Sequence, residues 1–454
     1  MGAGIGKVRG RLLFVGDMHL GRNPVRVPPD WDDPRSLGPA AGWERAVELA
    51  CAAEVAAVVL AGDVVESLED RFEALRLLSD GLARLHAQGI PVWAVAGNHD
   101  VRALPRLARL ESVRGFRILG WHDGQCGGWQ STVVEAAGVP LCRLVGWSFG
   151  SMREPRNPLP SLTGDLLGDD ELPVLGVLHC DRGAGSSPYA PVDARDFERG
   201  AAARVAAWFL GHVHKPDHAG LAAARPVGYL GSLVGLDPGE PGRHGPWLVE
   251  VGERGVRATQ HGLAPIRWES AVVAVDGLDQ RDSAELQDEL FRRISAELAA
   301  LDQRLAGDGT PRAVGVRVTL DGAVAHPAAL RDAWARLERR AGGFVRDLGP
   351  RSAPCRYFCE RVRLAIRPRE SLHELARQSS PIGSLARGLL RLQAGDDTLL
   401  ARAAQHFDRV RPGVGWPDLA DELTPGRAQE LLVDAAYELI GELRAQERAA
   451  EAGR

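Results

Sequence analysis

The chain has 454 residues, of which 45% are hydrophobic and 25% charged, enough to bury a large core and to form two or three domains. No apolar run approaches the roughly 18 residues that a membrane span needs, and the opening MGAGIGKVRG has no signal-peptide core. A cytoplasmic protein without membrane association is therefore expected. A formal charge of -5 offers no global electrostatic case for nucleic-acid binding, so any such reading must rest on a local site.

Up to about residue 265, short β-branched apolar runs alternate with polar or Gly-rich stretches, an α/β pattern. Strands are predicted at residues 12–15, 56–60, 92–95, 174–178 and 206–210, with closing strands at 229–233 and 247–251. Helices are predicted at 43–54 and 71–88, where Leu75, Leu78, Leu82 and Leu85 recur at helical spacing. The Gly-, Asp- and Pro-rich stretches 183–192 and 236–246 read as long loops. From about residue 266 the rhythm changes. A helix through Leu286, Leu290, Ile294, Leu298 and Leu301 precedes an alternating strand at Val314, Val316, Val318 and Leu320. A helix through Leu330 and Trp334 and a strand with Val362, Leu364 and Ile366 complete a small α/β accessory unit. From about 371 the chain reads as helical, with one stripe at Leu432, Ala436, Leu439 and Leu443 and a frayed end. The expected division is 1–265, 266–370 and 371–454.

Five motifs carry chemistry, each placed just after an apolar run: Gly16-Asp17-Met18-His19, Gly62-Asp63, Gly97-Asn98-His99-Asp100, His179 and Gly211-His212-Val213-His214. In extended chain, alternation would let Asp17 and His19 point the same way onto one metal. Imidazole nitrogens, carboxylates and one amide oxygen suit divalent ions such as Mn²⁺, Fe²⁺ or Zn²⁺, with no thiolate required. Cys180, beside His179, is read as a packed residue, and the six cysteines contain no CxxC pair. Cys355 and Cys359 are read as strand packing rather than a zinc site, and His122, His218 and His261 as surface or loop residues.

These motifs resemble the calcineurin-like metallophosphoesterases, whose pattern DxH, GD, GNH, H and GHxH is matched over roughly the first 265 residues. The resemblance implies a double β-sandwich core flanked by helices, here followed by a smaller α/β accessory (capping) domain and a helical C-terminus. It also implies that Asp17, His19 and His214 hold one metal, that Asn98, His179 and His212 hold the other, and that Asp63 bridges them. His99 would stand beside the leaving group. FVGDMHLGR at 14–22, YLGSLVGLDPGEPGRHGPWLVEV at 229–251 and SPIGSLARGLL at 380–390 are similar to the DNA-repair exonuclease branch of SbcD- and YhaO-like proteins. Glu66 departs from the Asp or His that many relatives carry in GDxxD, which leaves open whether Glu66 or Asp100 supports His99. Arg243 and His244 lie in a loop that the resemblance brings near the site, where they are candidates for substrate phosphate.

The function this implies is metal-dependent hydrolysis of DNA phosphodiesters in repair, most readily as an exonuclease. Two divalent ions, Mn²⁺ first among them, would generate a bridging hydroxide, with His99 as general acid. An SMC-like coiled-coil ATPase of the SbcC or YhaN kind is the implied partner beside DNA, and a homodimer is compatible with the reading. The rival readings are a small-substrate phosphodiesterase, such as a cyclic-nucleotide hydrolase, and a non-catalytic scaffold for the ATPase.

Overall fold

The structure is a computed structural model. It describes residues 5–28, 31, 33–66, 71–108, 115–122, 125–183, 185–279, 282–309, 311–340, 355–396, 398–402, 405 and 425–452. The chain divides into two compact units, one comprising Met1–Glu269, Leu305–Gly315 and Pro354–Arg356, the other Ser270–Arg304, Val316–Ala353 and Tyr357–Arg454.

The strands that matter are, in chain order, β1 (Val8–Val15), β2 (Ala57–Ala61), β3 (Val92–Val95), β4 (Phe116–Ile118), β5 (Gly128–Ala136), β6 (Val139–Ser148), β7 (Val174–His179), β8 (Ala207–Gly211), β9 (Val227–Tyr229), β10 (Trp247–Gly252), β11 (Gly255–Gln260), β12 (Ile266–Ala274), β13 (Ala313–Val324) and β14 (Arg356–Pro368). One mixed sheet has the order β11-β10-β1-β2-β3-β4, the other β9-β8-β7-β6-β5. Strands β1 to β4 run parallel, as do β6 to β9, whereas β10, β11 and β5 join antiparallel.

The two sheets pack face to face as the double sandwich that the motifs implied. Leu12, Phe14, Val59 and Val95 of the first sheet share one buried cluster with Leu144, Val177 and Phe209 of the second. The Phe14 and Phe209 rings lie 4.1 Å apart across the seam. Strands such as β2 and β7 are buried along their whole length, which is why they read as continuous apolar runs rather than alternations. Helices α1 (Pro39–Ala52) and α2 (Arg71–Ala87) lie against one another, and α1 starts on a proline preorganised for a first turn. The far face of the second sheet carries a separate cluster in which Trp129, Trp147, Phe197 and Trp208 bury their rings.

Two expectations shift. The strand foreseen at 229–233 ends at Tyr229, because Gly231 (φ +76°) turns the chain and the next two amides go elsewhere: Ser232 N donates to the His214 carbonyl and Leu233 N to the Asp17 carbonyl. The β5–β6 hairpin, with Ala137 and Gly138 at its turn, was absent from the sequence reading.

In the second unit, helix α3 (Ser283–Leu305) buries Leu286, Leu290, Ile294, Leu298 and Leu301. Strands β12, β13 and β14 form a three-stranded sheet in that order, and α4 (Pro327–Arg340) follows β13. Helices α5 (Pro381–Gln393) and α6 (Pro425–Ala452) close a smaller cluster around Ile382, Ala386, Leu389 and Ile440. Of the stripe foreseen on α6, Ala436 and Leu443 pack, joined by Val433, Tyr437 and Ile440, whereas Leu439 is exposed. The foreseen frayed end is instead helical to Ala452, with Arg444 bridging Glu370 and Glu447.

Phe209 is fully buried at the seam between the sheets. Phe209→Ala should cost about 3–5 kcal/mol, read as a lower urea midpoint in tryptophan fluorescence. A loss under about 1 kcal/mol would mean that the sheets do not interlock there.

Candidate metal centre

Because the central strands of each sheet run parallel, their carboxyl ends emerge on one side, and the motif residues follow those ends directly. Asp17 follows β1, Asp63 follows β2, Asn98 follows β3, His179 ends β7 and His212 follows β8. Asp17, His19, Asp63 and His179 are almost wholly buried. Two groups of ligand-type side chains result, Asp17 with His19 and His214, and Asp63 with His179 and His212, each with its ligand atoms within 4.8 Å of one another.

Asp17 and His19 do not converge by strand alternation. Both backbones are left-handed, with φ of 34° and 46°, as are those of Asp63 (46°) and His212 (98°). Such conformations are costly away from glycine, so the surrounding packing must hold them, and here they gather at one site. Gly62 shows how tightly. Its φ is +91°, and a Cβ there would stand 2.5 Å from His179 Nδ1.

The donor set fits cations. His19 Nδ1 meets Glu66 Oε2 at 2.5 Å and His214 Nδ1 meets Glu240 Oε1 at 2.7 Å. With both Nδ1 protons donated to carboxylates, the two Nε2 lone pairs face each other across 3.0 Å. Lone pairs so placed repel unless a proton or a cation lies between them. Asp17 supplies a second sign: its Oδ1 accepts from His212 N at 2.8 Å, while its buried Oδ2 has no hydrogen-bond partner. His179 donates Nδ1–H to the Ala61 carbonyl at 3.1 Å, leaving Nε2 3.3 Å from both Asn98 Oδ1 and Asp63 Oδ2. Asp63 Oδ2 also stands 3.9 Å from His19 Nε2 and 4.0 Å from His99 Nε2, within reach of both groups.

Charge is correspondingly concentrated. Burial pushes the Asp17 carboxyl up. Burial also opposes ionisation of Asp63, but the neighbouring His179, His19 and His99 outweigh it and hold this carboxyl well below the usual range. Burial would lower His179, yet Asp63 and Asp17 raise it to about 9. Burial and then the His179 charge depress His212 to about 4.

His99 lies at the rim, its side chain 38% exposed. Its backbone N donates to Asp63 Oδ1 at 3.1 Å and its Nδ1 to the Glu66 carbonyl oxygen at 3.1 Å. Neither of the two carboxylates considered from sequence holds the ring. The Glu66 carboxylate serves His19 instead, and Asp100, fully buried, accepts from the backbone N–H groups of Val64, Val65 and Gly97. Burial, with Asp63 nearby, raises Asp100 to about 7.

The structure does not bring Arg243 and His244 to the centre. Arg243 pairs with Asp308 at 2.6 Å and Gln260 at 3.2 Å, and buried His244 bonds Ser232 and the Glu240 carbonyl. Cys180 is buried among apolar residues, and no disulfide joins any of the six cysteines. Among the described residues, His122, His218 and His261 join neither group, and no cluster includes Cys355 or Cys359.

The calcineurin-like phosphoesterase family profile matches residues 10–216, the stretch that supplies every one of these motif residues. This chain carries a calcineurin-like phosphoesterase domain. Over 92 residues, the sequence is 32% identical to the DNA double-strand break repair protein Mre11 of Methanopyrus kandleri; that match spans 20% of this chain and 19% of the relative. Among solved structures, a dimetal phosphatase from Danio rerio aligns at 17% identity over 56% of this chain and 98% of its own, with a TM-score of 0.34. Pseudomonas putida nuclease MPE aligns at 16% identity over 36% of this chain and 59% of its own, with a TM-score of 0.19. The family is one of phosphoester hydrolases, and no helix among the described residues is long and apolar enough to cross a membrane.

Sequence reasoning missed two neighbours of the phosphoesterase centre. Glu240, which braces His214, sits in the DPGEPG loop inside the 229–251 stretch singled out above, where it was not itself a candidate, and Tyr189, whose ring lies 5.1 Å from that of His212, sits in the other long loop. Their only signal was two loops long enough to reach back over the strand ends. Gly62→Ala should abolish metal uptake by pushing His179 aside, as measured by elemental analysis after loading with Mn²⁺ and desalting. Full stoichiometry in this variant would show that the 2.5 Å approach is not needed.

Proposed function

We propose that this protein is a metal-dependent DNA nuclease, acting on phosphodiester bonds most readily as an exonuclease. The observation that carries the DNA reading is the stretch similar to Mre11, which falls on a chain with the full ligand pattern. Asp17, His19 and His214 would hold one divalent ion and Asn98, His179 and His212 the other, with Asp63 between them. The mixed imidazole and carboxylate donors suit Mn²⁺, with Fe²⁺ or Zn²⁺ as alternatives. When bound, such ions supply positive charge for phosphate oxygens and acidify water into a nucleophile.

The remaining chemistry belongs to the chain's own residues. The Glu66 carbonyl accepts from His99 Nδ1, so the proton available for transfer is the one on Nε2, the nitrogen turned towards Asp63. A protonated His99 can therefore hand Nε2–H to the departing sugar oxygen. The bond from His99 N to Asp63 Oδ1 fixes the distance between this acid and the ligands.

Residues 266–370 would act as an accessory or capping domain and residues 371–454 as the docking segment for an SMC-like ATPase. Exposed Leu439 on α6 is the first place to test for that contact. A homodimer is part of the same proposal, and a cytoplasmic location follows from it.

His99→Gln is expected to retain two metals but to lose roughly 10²- to 10⁴-fold in turnover on end-labelled DNA. A nitrophenyl phosphodiester, whose leaving group needs less protonation, should suffer less. Equal slowing of both substrates at full metal occupancy would remove His99 as the acid. Wild-type hydrolysis of cyclic nucleotides without DNA cleavage would favour the small-substrate reading, and absence of any metal-dependent turnover would favour the scaffold.

A further inference from the structure

We propose that the two metal positions are unequal by construction, with Glu66 and Glu240 as positioning residues that make the Asp17, His19 and His214 position the tighter one and the first to take a divalent cation. This rests on the metal-binding part of the function proposed above and adds an observation of its own. Both imidazoles of the first group have a carboxylate behind them, and neither imidazole of the second does.

In the first group the contacts are short and charge-assisted, 2.5 Å from His19 Nδ1 to Glu66 and 2.7 Å from His214 Nδ1 to Glu240. A carboxylate behind an imidazole fixes the tautomer, aims Nε2 and raises its basicity. The Glu240 carboxylate is itself held, and Glu66 is anchored through its backbone. Glu240 Oε2 accepts from Ser232 Oγ and Leu236 N, both at 3.1 Å, and the Glu66 amide donates to the Leu20 carbonyl at 3.1 Å. The long 236–246 loop thus serves to deliver Glu240.

In the second group, His179 Nδ1 faces only the neutral Ala61 carbonyl, and Asp17 Oδ1, at 3.9 Å, is out of hydrogen-bond reach. The His212 imidazole makes no hydrogen bond among the described residues, and its ring rests edge-on and tilted against His179 and Tyr189. Its tautomer is unconstrained, so binding must choose it. The first position therefore offers two preorganised, electron-rich nitrogens and two additional negative charges nearby. The second offers one oriented nitrogen, one free ring and a neutral amide oxygen. Asp63 groups with the second position, its Oδ2 3.3 Å from His179 Nε2, but at 3.9 Å from His19 Nε2 it also reaches the first, so its charge is shared and does not replace the carboxylates that the second pair of imidazoles lacks.

The test is titration of metal-free, full-length protein with Mn²⁺, followed by calorimetry and by electron paramagnetic resonance of free Mn²⁺. Wild type should show two resolved steps. Asn98→Ala should keep the tight step and lose the weak one. Glu66→Gln and Glu240→Gln should each weaken the tight step by about 10- to 100-fold and shift the weak step by no more than about twofold. Thermal unfolding of the metal-free variants should match wild type; if Glu240→Gln disturbs its loop, Glu66→Gln carries the test. A single affinity for both ions, equal weakening of both steps, or loss of the tight step in Asn98→Ala would overturn the inequality while leaving metal binding intact. Failure of wild type to take up Mn²⁺ would overturn the metal reading and this inference together. The expected pattern in a protein that does not cut DNA would support the inequality and remove only the nuclease.

Discussion

Everything about this centre follows from placing carboxylates and imidazoles where water cannot reach them. Asp17, Asp63, Asp100 and His179 are buried at the ends of parallel strands, and an unpaired buried charge costs far more than a fold's margin of stability. The chain answers with reciprocal contacts: Asp63 sits against His179, Asp17 receives the His212 amide, and Asp100 takes three backbone amides. One buried oxygen, Asp17 Oδ2, is left over, as are two opposed imidazole nitrogens. A divalent cation satisfies both at once, which is why the two leftovers count as one observation about the same ligand.

Asp100 shows how a motif residue can set the geometry of a site from outside its two ligand-type groups. Its oxygens bridge the amides of Val64 and Val65 to that of Gly97, fastening the loop after β2 to the loop after β3. Asp63 and Asn98 belong to those two loops, so their separation is set by this carboxylate. The His99 ring is oriented by main chain, through the Glu66 carbonyl. That frees the Glu66 side chain to brace His19, so one residue orients both a ligand and the candidate acid from opposite ends of its own backbone and side chain.

The sandwich and the two clustered groups were legible in the sequence because both rest on local patterns: apolar runs of strand length, each followed by a ligand-type residue and most with a glycine before it. What escaped was non-local. Glu240 meets His214 from 26 positions away inside a loop defined only by glycine and proline, and nothing in DPGEPG distinguishes its acid from a solvated one. Arg243 was a fair candidate by position, but Asp308, 65 residues on, claims its guanidinium. On α6, Ala436 and Leu443 pack as foreseen, but Val433, Tyr437 and Ile440 join them in place of Leu432 and Leu439, because neighbouring apolar residues leave the edge of the face open until packing around Ile440 selects it. The foreseen strand at 229–233 failed for a functional reason: its last residues spend their amides bracing the loops of His214 and Asp17.

The glycine that precedes Asp17, Asp63, Asn98 and His212 then acquires a packing explanation distinct from catalysis. At Gly211, a Cβ would meet the Ala61 carbonyl oxygen at 2.1 Å and His179 Nδ1 at 2.8 Å. That carbonyl is the same one that accepts from His179 Nδ1 and so fixes which nitrogen of His179 faces the second group. A side chain at 211 would therefore do more than crowd the backbone: it would displace the acceptor that sets a neighbouring ligand's tautomer, although residue 211 coordinates nothing. The four motifs that open on glycine are short because each supplies two things in adjacent positions, a donor-type side chain and an absence of side chain that lets the facing backbone come close.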